Sequence, residues 1–91
     1  MAVTLRVPEA LRRYSGGLPE VPAEGGTVGE ALEAAFRAHP GLRTRVLDER
    51  GRLRPHLLLF LNDAELDRAG APATPVSDGD VLDLIAAAEG G

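Results

Sequence analysis

Residues 27–41 read TVGEALEAAFRAHPG. Thr27 is a good N-cap, and Glu30 three positions on completes a capping box. Val28, Leu32, Ala35 and Phe36 then recur on one helical face. Glu33 and Arg37 are spaced as an i,i+4 ion pair on the outer face. Pro40 and Gly41 read as a stop signal. The stretch predicts one helix over 28–38, so the flanking segments must supply the surface that it covers.

On the N-terminal side, VTLRV (3–7) alternates apolar and polar residues, the period of a half-buried strand. Val3, Leu5 and Val7 share one face, and Pro8 ends the strand. Residues 9–17 suit a helical turn reversed by Gly16 and Gly17. LPEVPA (18–23) fits an edge strand, because its two prolines exclude a central one. On the C-terminal side, LLLFL (57–61) is apolar throughout and reads as a strand buried on both faces. NDAEL follows as a turn, and 64–76 reads as loop with room for a short strand. SDGD turns at Gly79. VLDLIA (81–86) closes the domain, with Leu82 and Leu84 on one face and Asp83 and Ile85 on the other.

The order β-β-α-β-(β)-β, with one main helix, is that of an α+β domain. One helix covers one face of a sheet. A strand that is apolar on both faces leaves surface for a partner, or for loops 8–17 and 64–76, to cover.

A chain of 91 residues has room for one small domain. It has no cysteine, which excludes disulfides, thiolate metal sites and a Cys nucleophile. With two histidines and no Cys, no zinc site is expected, and no bound metal or cofactor. No apolar run approaches the roughly 18 residues of a membrane span. The N-terminus has no basic-then-apolar leader, so a cytoplasmic location is expected. A net charge of −4 and three aromatic residues argue against nucleic-acid binding. All ten basic residues are Arg, so no side-chain amine can attack an activated carboxyl. Five of them, Arg43, Arg45, Arg50, Arg52 and Arg54, form a locally basic stretch. It reads as a docking surface for an acidic protein or as a solvated loop.

Neither His39 nor His56 has a nucleophile or ligand spacing around it. Asp63, Glu65, Asp67, Asp78 and Asp80 read as turn residues rather than an acid–base pair. The paired glycines at 16–17 and 25–26 lack the pattern of a phosphate cradle. What remains is the end of the chain, AAAEGG (86–91). A terminal carboxylate becomes an electrophile once adenylated, and glycines pass through a narrow channel because they have no side chain.

With VTLRV, TVGEALEAAF, LRPHLLLFLND, SDGD and the final GG in this order, the chain resembles the MoaD/ThiS family of ubiquitin-like sulfur carriers. Its nearest likeness is to the branch that serves cysteine synthesis. The resemblance implies a β-grasp domain over 1–86, a mixed four- to five-stranded sheet with one main helix on one face, and a flexible tail over 87–91. It implies a non-enzymatic carrier whose Gly91 is adenylated by an E1-like enzyme using ATP and Mg, then converted to a thiocarboxylate. Gly90 and Glu89 would thread the partner's channel. A sulfur-accepting synthase, cysteine synthase-like or a molybdopterin synthase large subunit, would take the sulfur into a pathway of the cysteine, thiamine or molybdopterin type. The surface expected to meet these partners has Ile85 and Phe60 at its apolar centre and Arg52 and Arg54 at its rim. Ala86, Ala87 and Ala88 stand where carriers commonly have aromatic, Pro or aliphatic residues, and Glu89 where small neutral residues are usual. The alternatives are the small subunit of molybdopterin synthase, a ubiquitin-like modifier joined to lysines, and an interaction module with an inert tail.

Overall fold

The structure, a computed structural model, describes residues 1–87. Among these residues five strands form one mixed sheet: β1 Ala2–Arg6, β2 Glu20–Glu24, β3 Leu57–Leu61, β4 Ala64–Glu65 and β5 Val81–Ala86. Their order is β2-β1-β5-β3-β4. Central β1 and β5 run parallel, and every other pairing is antiparallel. The proline-bearing β2 lies at an edge, where a missing N–H costs no ladder bond.

Helix α1 spans Val28–Ala38. Thr27 Oγ1 accepts from the Glu30 N–H at 3.2 Å, and Glu30 Oε1 accepts from the Gly26 N–H at 2.7 Å. The capping box thus closes one residue earlier than the usual form. A Cβ on Gly25 would sit 2.7 Å from the Ala31 backbone nitrogen, so only glycine admits this tight entry to the helix. The turn at 77–80 likewise needs Gly79, whose φ is +86°.

The face of α1 bearing Val28, Ala31, Leu32, Ala35 and Phe36 is buried against Val3, Leu5, Val21, Leu57, Leu59, Leu82 and Leu84 of the sheet. Each large side chain buried there contributes about 1.5–3 kcal/mol.

Pro40 and Gly41 end α1 but not the helical structure, contrary to their reading as a stop. Pro40 occupies the first turn of a second helix, α2, Pro40–Val46. Pro suits that position because its missing N–H would have no intrahelical partner. His39, with φ −135° and ψ 78°, makes the break between the two helices. Leu42 and Val46 of α2 are fully buried, so part of the arginine stretch is core-forming helix rather than solvated loop. The Glu33–Arg37 pair is also corrected. Glu33 instead takes a two-pronged hydrogen bond from Arg43 of α2, which ties the two helices together.

Of the two ways to cover the second face of the sheet, a partner or loops 8–17 and 64–76, the loops pack mainly elsewhere. A 3-10 helix over Glu9–Ser15 packs on α2, and a 3-10 turn at Ala71–Ala73 packs on α1. Both thicken the helix side. On β3 only Leu57 and Leu59 are buried, while Leu58, Phe60 and Leu61 are half-buried. Leu61 packs on the core, and Leu58 and Phe60 lie outside it. The expectation of a strand buried on both faces is therefore replaced by one buried face and one half-covered apolar face.

Candidate functional site: the open sheet face and the root of the tail

Alternation along β3 and β5 sends Leu57, Leu59, Leu82 and Leu84 into the core, which leaves Leu58, Phe60, Asp83 and Ile85 on the other face. In the antiparallel ladder Leu58 pairs with Ile85, and Phe60 with Asp83. Phe60 also pairs with Glu65 on its other side. Ile85 is 42% exposed. Arg6 borders this patch and pairs with Glu20 at 3.4 Å and Asp83 at 3.5 Å. The result is a small apolar cluster of Leu58, Phe60 and Ile85, bordered by Asp83 and Arg6 on one side and by Glu65 on the other.

Of the residues assigned to the partner surface, Ile85 and Phe60 lie together on this face. Arg52 and Arg54 do not join them. Arg54 Nε donates to the Thr44 carbonyl of α2 at 2.9 Å. Arg52 lines a groove on the helix side with Leu32, Leu59 and Leu66. Arg43 and Arg45 are also engaged on the helix side. Arg45 lies 4.6 Å from the Tyr14 ring centroid, and Arg43 lies 5.3 Å from that of Phe36. Between them, Asp48 Oδ1 accepts from the N–H groups of Arg50 and Arg52, each at 2.9 Å. These backbone donors, Arg52's first, hold the Asp48 carboxyl below the ordinary carboxylate range.

The turn carboxylates act locally. Asp78 Oδ1 accepts from the Ala2 N–H at 2.7 Å, and Asp80 Oδ2 accepts from Ser77 N–H at 2.8 Å. Asn62, left-handed at φ 56°, donates from Nδ2 to Asp80 at 3.3 Å and accepts the Val81 N–H on Oδ1 at 3.1 Å. The segments LND and SDGD, far apart in the chain, thus form one corner of the sheet.

At the opposite end β5 leads to the tail. Leu57 pairs with Ala86, and the Ala87 N–H donates to the His56 carbonyl at 2.8 Å. Glu89, Gly90 and Gly91, assigned to threading and activation, lie outside the described residues. The sequence reading missed Arg68, whose guanidinium bonds the carbonyls of Leu53, Arg54, Pro55 and Leu57. Nothing in the spacing around Arg68 marks it, because its partners are distant in the chain.

Residues 5–91 match the profile of the ThiS family. The chain is 31% identical over 93 aligned residues to sulfur carrier protein CysO of Mycobacterium tuberculosis, with 100% of each chain covered. Its fold superposes on a chain of the Amycolatopsis orientalis BexX/CysO complex with a TM-score of 0.88 and 33% identity, covering 99% of this chain and 100% of that one. SAMP1, a small archaeal modifier protein of Haloferax volcanii, gives a TM-score of 0.84 at 26% identity with 100% of both chains covered. The mixed β-grasp sheet, the capped helix and the match through residue 91 place this chain in the ThiS family.

Proposed function

We propose that this protein is a sulfur carrier for a cysteine-forming pathway and has no enzymatic activity of its own. The observation that carries the reading is the end-to-end likeness to CysO, 31% identical with both chains fully covered. In this reading an E1-like enzyme binds the open face around Ile85 and Phe60 and admits Glu89, Gly90 and Gly91. The Gly91 carboxylate attacks the α-phosphorus of Mg-bound ATP, forming an acyl-adenylate and releasing pyrophosphate. A sulfide nucleophile then displaces AMP and leaves a thiocarboxylate. A sulfur-accepting synthase of the cysteine synthase type takes the sulfur. ATP and Mg belong to the activating enzyme.

Intact-mass spectrometry tests this directly. The chain is incubated with its genome's E1-like enzyme, MgATP and sulfide. A mass gain of one sulfur in place of one oxygen at Gly91 is expected, and no gain refutes the carrier assignment.

The likeness to SAMP1 supports a second reading, a modifier joined through Gly91 to lysines of other proteins. The chain itself has no Lys, so it builds no Lys-linked chains of itself. A carrier appears on a denaturing immunoblot mainly as the free protein. A ladder of adducts that vanishes on Gly91 deletion, with Gly-Gly remnants on target lysines, selects the modifier.

A further inference from the structure

β3 is served differently on its two edges. On the outer edge β4 is only two residues long. The Leu66 N–H reaches the Leu59 carbonyl at 2.9 Å. The next acceptors along that edge, Leu57 and Pro55, receive the Arg68 side chain instead. Nη2 donates to both, at 3.1 Å for Pro55, while Nη1 donates to Arg54 at 3.1 Å and Leu53 at 3.3 Å. One guanidinium therefore completes the edge that the short strand leaves open. Its planar, charged fork holds several carbonyls in fixed directions at once.

The same segment carries the root of the tail on its inner edge. Between Pro55 and Leu57, the His56 carbonyl points the other way and accepts the Ala87 N–H at 2.8 Å. Arg68 and Ala87 thus grip one short piece of chain from opposite sides.

We infer that Arg68 is a positioning residue for the reactive tail: by fixing 53–57 it holds the His56 carbonyl where it captures Ala87, and so sets where β5 releases the chain. The functional half of this inference rests on the carrier reading. A root ordered in advance lowers the entropy cost of placing the tail in a partner. A root that must be ordered on binding raises KM and leaves kcat nearly unchanged.

The test uses the full chain as wild type, Arg68→Gln and Arg68→Lys, followed by amide hydrogen exchange. Loss of charge-assisted bonds is expected to speed Ala87 exchange about tenfold or more in Arg68→Gln, while Leu5 and Leu82 in the core strands change little. Arg68→Lys keeps the charge without the fork and restores only part of the protection. With the activating enzyme, KM for the Arg68→Gln chain is expected to rise about fivefold with kcat within about twofold. Ala87 exchange at the wild-type rate, or accelerated by the same factor as Leu5 and Leu82, overturns the inference, as does a fall in kcat at constant KM. Should neither variant fold, NMR of the wild type decides: a held guanidinium gives separate Nη1 and Nη2 signals, and a freely rotating one gives an averaged signal that removes the proposal. If the wild-type chain is not activated at all, the carrier reading falls, while the exchange comparison still reports on Arg68 and Ala87.

Discussion

Leu58 and Ile85 stand directly opposite each other in the antiparallel ladder of β3 and β5, on the sheet face turned away from α1. Cross-strand apolar pairs stabilise a sheet by some tenths of a kcal/mol. This pair nevertheless leaves Ile85 42% exposed: the segment Glu9–Ser15 packs on α2 and only its first turn borders Ile85, while Ala71–Ala73 packs on α1. The exposed strip is an apolar surface of the kind that partners cover.

Ile85→Asp is expected to weaken binding to the activating enzyme by about 2 kcal/mol or more, since it places a charge at the apolar centre of the patch. The fold should tolerate the change, because the side chain lies outside the core. Arg52→Glu should act only modestly, mainly on association rate and salt dependence, since Arg52 sits on the helix side near Asp48. Calorimetric titration beside thermal melts checks both. Equal losses for the two variants would discard this map of the surface.

Removal of Gly90 and Gly91 should abolish adenylation and leave the melting temperature within about 2 °C of wild type. Among the described residues the hydrophobic core extends no further along the chain than Leu84. A large fall in melting temperature on truncation would show that the tail contributes to the fold.

Leu42→Ala should cost about 2–5 kcal/mol and lower the melting temperature by about 10 °C or more. Leu42 is fully buried at 0% exposure, and α2 depends on it for its attachment to the core. A melting temperature close to wild type would mean that α2 is not part of the cooperative unit.

Glu33 governs a small acid-sensitive contribution. The hydrogen bond from Arg43, followed by the charges of Arg43 and Arg37, holds its carboxyl below the ordinary value of 4.5. A carboxyl lowered in the folded state contributes stability that is complete above about 4.5 and is lost as pH falls through the lowered value. Both side chains are nearly half exposed, so screening keeps the contribution small. Glu33→Gln should therefore be slightly less stable than wild type at pH 7, and the gap should close on acidification. Urea midpoints across the acid range measure it. A gap that persists at about pH 2.5 would assign the effect to packing rather than charge.

Features under the control of local rules are legible in the order of residues alone. Alternation placed Val3, Leu5, Val7, Leu82 and Leu84 inside, and capping with 3.6-residue spacing delimited α1 at 28–38. The turn at Gly79 and the edge position of β2 follow from φ restrictions and a missing donor. Each of these depends on residues within a few positions of one another. The remaining features depend on long-range packing. Pro40 opens a helix because α2 has a core to enter through Leu42 and Val46. Glu33 turns from Arg37 to Arg43 because the break at His39 folds α2 back within reach. Arg68 reaches the 53–57 carbonyls only because β4 ends after two residues and leaves them without a strand. The open face at Leu58 and Ile85 depends on which side the loops pack. Such contacts join residues distant in sequence, and their partners are set by the strand order β2-β1-β5-β3-β4 rather than by any local pattern.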